Sequence, residues 1–84
     1  MPSVSDLRRQ IDILDRQIVE LLSRRMGLVR QVTVQLPDDE QLATREEQVL
    51  SNWLEEAIDF DLDEASMEKI CRAVIEMGRK AREA

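Results

Sequence analysis

Residues 6–36 read DLRRQIDILDRQIVELLSRRMGLVRQVTVQL, a stretch with no proline and with Gly27 as its one glycine. Leu7, Ile11, Leu14, Ile18, Leu21, Leu28 and Val32 recur in steps of four and three, with one step missing. That spacing marks one face of a helix, so the stretch predicts a single long helix over Asp6–Leu36. The missing step falls on Arg25, one turn from Leu21 and from Leu28. A charge on the apolar side of a helix is costly unless an anion meets it, so Arg25 implies an anionic partner, from the protein or from a ligand.

Such a helix extends about 45 Å at roughly 1.5 Å per residue. A compact domain of this length has a radius of gyration of only about 12 Å. One chain cannot cover both ends of the rod. The remedy expected is a homodimer in which two long helices run past each other and each covers the other's seam.

Outward from this helix the punctuation is clear. Ser3 or Ser5 can cap its start, with Asp6 in the first turn. Pro37 ends it, and Asp38 or Asp39 is expected to cap a second helix over Glu40–Ile58. That helix has Leu42, Val49, Leu50, Trp53, Leu54 and Ala57 on its apolar side. Arg45 and Glu46 stand where this stripe should pass. Two polar interruptions on inward faces suggest a shared polar cavity; an interhelical salt bridge that sets register is the other reading.

The segment DFDLD, residues 59–63, has the carboxylates of a calcium loop but not the spacing. Counted from Asp59, the glycine position is Glu64 and the last ligand position is Ile70; counted from Asp61, the last is Arg72. It reads instead as a turn with Asp63 as an N-cap. The third helix, Glu64 to about Glu83, would pack through Met67, Ile70, Cys71, Val74, Met77 and Ala81. Gly78 inside it costs about 1 kcal/mol relative to alanine, which points to a close approach by backbone or ligand. Arg82, one turn on, reads either as a helix-end cation or as part of a site.

The 84 residues make one domain, 1–84, with no repeat or linker. There is no histidine, which excludes imidazole acid–base chemistry and histidine metal sites. Cys71 is single, so it forms no internal disulfide and reads as a buried, inert thiol in a reducing compartment. MPSVSDLRRQ lacks an apolar signal core and no run reaches membrane-spanning length, so a soluble, cytoplasmic protein with no membrane partner is expected. The net charge of −6 argues against nucleic acid. Residues 1–36 nevertheless carry six arginines and four acids. Arg9, Arg16 and Arg24 read as solvated; Arg25 does not.

The elements Leu7-Arg8, Ile11-Asp12, Leu14-Asp15, Leu21-Leu22 and Arg24-Arg25 closely resemble the first helix of the all-helical class of chorismate mutases. Arg45-Glu46 matches that family's Arg-Glu pair on the second helix, and the spacing onward fits without a gap. The resemblance implies an all-α fold of three helices per chain, one long and two shorter, intertwined as a homodimer with two equivalent sites. It also implies the Claisen rearrangement of the dianion chorismate to prephenate, which leads toward phenylalanine and tyrosine. That unimolecular step needs no metal, cofactor or nucleophile, only a substrate held in its folded conformer and a donor at the ether oxygen.

By position, the resemblance assigns Arg25 and Arg45 to the substrate carboxylates, Glu46 to the substrate hydroxyl, and Arg8 to the partner chain's site. The family's lysine near the end of the first helix is Leu36 here. Its serine and glutamine on the third helix are Gly78 and Arg82, and the first loop is about three residues shorter. Arg82 is therefore expected to serve the ether oxygen in place of both lost donors. Two other functions remain compatible with the resemblance. One is a non-catalytic helical dimer that binds a partner protein or an aromatic metabolite. The other is a sister activity, isochorismate pyruvate-lyase or aminodeoxychorismate mutase.

Overall fold

The computed structural model describes residues 1–83, and all regular structure among them is helical: α1 (Val4–Gln35), α2 (Leu42–Asp59) and α3 (Glu64–Glu83). Ser3 caps α1 through a reciprocal box. Its hydroxyl accepts from the Asp6 backbone N–H at 3.1 Å, and the Asp6 carboxylate accepts from the Ser3 N–H at 3.3 Å. The start of α2 differs from expectation. Asp39 turns its carboxylate back onto the Gln41 N–H at 3.0 Å, so α2 begins two residues late at Leu42, with Gln41 as an N-cap that makes no side-chain bond. Asp63 does cap α3: its carboxylate accepts from the Ser66 N–H at 2.9 Å and the Ser66 hydroxyl at 2.6 Å. These bonds hold its pKa below the usual carboxylate value.

The third helix is the middle of the structure. It packs against both α1 and α2, whereas no Cα of α1 comes within 8 Å of one in α2 among the described residues. Met26 of α1 with Val74 and Ala81 of α3 forms the core, and Leu22 and Trp53 pack against it. Cys71, Val49 and Ala57 are also buried. The thiol of Cys71 has no exposure, and burial raises its pKa against the opposing pull of the nearby Arg25 and Arg72 cations.

One expectation about faces is corrected, on α3. The stripe of α1 turned to α3 is Leu22, Met26, Val29 and Thr33, all buried or half-buried, which leaves the seam expected to meet a second copy uncovered within the single chain. Leu28 and Val32 of that seam remain 61% and 45% exposed. On α3 the buried stripe is Cys71, Val74, Gly78 and Ala81, leaving Ile70 and Met77 exposed. Helix periodicity fixes a face but not its occupant, and α1 is apolar across two adjacent stripes.

The length of α1 sets the shape. The chain measures 53 × 26 × 15 Å with a radius of gyration of 15.8 Å, well above the roughly 12 Å of a compact domain. The N-terminal half of α1 projects as a bare rod. Leu7, Ile11, Leu14, Ile18 and Leu21 along it are each 46–57% exposed. No described helix is long and apolar enough to cross a membrane.

Candidate active site

Because α1 and α2 each pack on α3 while their backbones stay apart, a cleft of about 260 Å³ opens beside the C-terminal half of α3. Its apolar walls are Leu28, Val29 and Val32 from α1, Leu42 and Val49 from α2, and Ile75 from α3. Set into those walls are Arg25, Arg45, Arg79 and Arg82, with Asp39 and Glu46 as the carboxylates. Four guanidinium groups against two carboxylates leave an excess of two positive charges in an apolar recess.

The pairing of these groups decides what the cleft can hold. Glu46 is gripped at both oxygens by Arg79: Nη2 donates to Oε1 at 2.8 Å and Nε to Oε2 at 3.1 Å. That fork, and the charge behind it, raises the Arg79 pKa above its ordinary value. Arg25, Arg45 and Arg82 form no ion pair among the described residues. Arg25 and Arg82 are half-buried and Arg45 is exposed. The other ion pairs of α1 are local and exposed, Arg9 with Asp6 and Arg16 with Glu20, as solvated arginines should be. The cleft therefore offers three unpaired cations, one from each helix, converging on an apolar space. That excess of positive charge is complementary to anions.

The profile for Chorismate mutase type II matches residues 7–83. The chain belongs to that family. No curated protein and no solved structure matched the chain.

Of the residues that the resemblance to chorismate mutase singles out, Arg25, Arg45, Glu46 and Arg82 line this one cleft. Arg8 does not. It lies on the projecting half of α1, seventeen residues from Arg25, about 25 Å along the axis at roughly 1.5 Å per residue. Leu36, at the family's lysine position, is the C-cap of α1 and is 54% exposed, outside the cleft lining. Gly78 lines the cleft, but not because space is short. A Cβ there would meet only the Val29 methyl groups, at 4.0 Å, so no backbone approaches closely and only the ligand half of the expectation is left.

Two charged residues of the cleft are not apparent from the sequence. Arg79 lies in the run GRKARE at the end of α3 and looks there like one more solvated cation. Its partner is 33 residues away, and that pair, not one between Arg25 and Glu46, is the interhelical salt bridge of the site. Asp39, expected as a cap, lines the mouth of the cleft instead. The spacing of arginines along α3, with Arg82 three residues after Arg79, is the signal that could have found the first of them.

Proposed function

We propose that the chain is a working chorismate mutase, converting chorismate to prephenate as a homodimer. The observation that carries this reading is the convergence of unpaired Arg25, Arg45 and Arg82 on one apolar cleft. Arg25 and Arg45 hold the two carboxylates, since a planar guanidinium offers two parallel donors to each and keeps the substrate folded. Arg82 donates to the ether oxygen, where negative charge develops as the C–O bond breaks, and so takes the place of the lysine lost at Leu36. Glu46 accepts from the substrate hydroxyl.

The dimer completes the site. Leu28 and Val32 line the cleft and are exposed, so its rim is open on the face that continues into the bare seam Leu7–Leu21. An antiparallel second copy would cover that seam and bring Arg8 of the partner subunit to the rim. Burial of five half-exposed aliphatic side chains on each α1 is a strong drive to associate, at about 25 cal/mol per Å² of apolar surface.

The deciding experiment mixes the purified protein with chorismate and follows its loss and the appearance of prephenate. Stoichiometric conversion supports the mutase. Release of pyruvate from isochorismate, or an amino-substituted product from aminodeoxychorismate, identifies a sister activity. Binding without conversion of any of the three identifies a non-catalytic module, the reading that the missing lysine at Leu36 favours.

A further inference from the structure

An ionised carboxylate set among guanidinium groups is an internal competitor for their anionic guest. Glu46 is in that position: Arg25, Arg45 and Arg82 line the same cleft and form no ion pair among the described residues. A Glu46 side chain free to rotate would reach for one of them and occupy the place of a substrate carboxylate. Arg79 removes that freedom. Its Nε and Nη2 engage both oxygens of Glu46 in a planar fork, at 3.1 and 2.8 Å, which fixes the orientation of the carboxylate as well as its position.

The direction of approach matters. Glu46, Ile75 and Arg79 line a second groove between α2 and α3, with Ala43, Leu50 and Arg72, as well as the arginine-rich cleft. The ion pair is thus the partition between the two spaces. Arg79 is braced on the outer side by Glu76, whose Oε2 accepts from Nη1 at 3.4 Å. The Arg79 side chain is 55% exposed and that of Glu46 only 18%. The cation therefore reaches Glu46 from the solvent side. Two of the roughly four lone-pair positions on Glu46 stay free for a hydroxyl donor.

We propose that Arg79 is a positioning residue, which holds Glu46 away from Arg25, Arg45 and Arg82 and turns it toward the substrate hydroxyl without itself binding substrate. The inference rests on the mutase reading above and adds a residue and a mechanism to it.

The test is a double-mutant cycle in KM and kcat for chorismate, with wild type, Arg79→Ala, Glu46→Gln and the combined variant. Arg79→Ala should raise KM about tenfold with a smaller change in kcat, because a released Glu46 competes with the substrate. In the Glu46→Gln background, where no charge is left to restrain, Arg79→Ala should leave KM within about twofold. Arg79→Lys, which keeps the charge and loses the fork, should fall between wild type and Arg79→Ala. Where turnover of a variant is too slow to follow, chorismate affinity by calorimetry replaces KM. A cost of Arg79→Ala that persists undiminished in the Glu46→Gln background places Arg79 on the substrate and overturns the proposal. So does an unchanged KM in Arg79→Ala when the wild type is active. A wild type that neither binds nor converts chorismate overturns the mutase reading, and this one with it.

Discussion

The methyl groups of Val29 lie 4.0 Å from the point where Gly78 would carry a Cβ. That is the outer limit of ordinary contact, and Gly78 sits within α3 without a positive φ. A methyl group there removes backbone freedom from the unfolded chain and collides with nothing. Gly78→Ala should therefore stabilise the protein by about 0.5–1 kcal/mol, read from urea or thermal unfolding. A net destabilisation would mean that the cleft floor tolerates no added volume.

Arg25 is half-buried, near enough to Cys71 for its charge to act on the thiol, and has no anionic partner among the described residues. Removing it takes away an uncompensated charge and breaks no ion pair, so Arg25→Ala should leave helix content and melting temperature unchanged or slightly raised. Chorismate turnover should fall by at least the order of 100-fold. Circular dichroism and an activity assay on the same sample separate the two effects; unfolding on substitution would contradict a ligand-binding role.

Arg82 is one turn past Gly78 on α3 and lines the cleft. If it donates to the ether oxygen, Arg82→Ala lowers kcat on the order of 100-fold with little change in KM, the signature of an interaction made mainly in the transition state. Equal activity in the variant would end that assignment and leave Arg82 as a helix-end cation.

A site shared between subunits makes a quantitative claim. Arg8→Ala and Arg25→Ala should each be inactive alone. A heterodimer of the two carries one site with both arginines intact and one with neither. Random reassortment of an equimolar mixture should therefore recover about a quarter of wild-type turnover, because half the dimers are mixed and half their sites are whole. No recovery after unfolding and refolding the mixture would place Arg8 outside the site.

Asp63 has its pKa held down by the Ser66 hydroxyl and backbone N–H. A carboxyl group whose folded pKa lies below its unfolded value stabilises the fold above the unfolded pKa, and that contribution is lost as pH falls through the folded one. Asp63→Ala should thus be less stable than wild type at neutral pH, and the gap should close on acidification below the ordinary value of 3.8. Paired denaturant titrations at neutral and acidic pH check this. A gap independent of pH would show that the cap works without its charge.

The layout of helices was readable because its punctuation is local. Ser3 and Asp63 act through neighbours three residues away and Pro37 through the residue before it, and α3 begins and ends where its pattern does. Asp39 misleads for the same reason: a local bond to Gln41 competes with the capping bond, and composition cannot rank the two. The site was half legible. Arg25 and the pair Arg45-Glu46 stand out as charges interrupting apolar stripes. Arg79 interrupts nothing and is recognisable only beside Glu46 on another helix.

By itself the sequence determined three helices, their order, a rod too long for one chain to cover, and an arginine stationed where leucine belongs. Those features follow from period, chain stiffness and the cost of burying charge, which neighbours along the chain suffice to express. Only the tertiary structure decided that α3 lies between the other two, that Leu22, Met26, Val29 and Thr33 rather than Leu28 and Val32 face it, and that Glu46 is already held. Helix periodicity gives each stripe a direction around its own axis, but the rotation of one helix against another is fixed by how side chains from distant parts of the chain pack together.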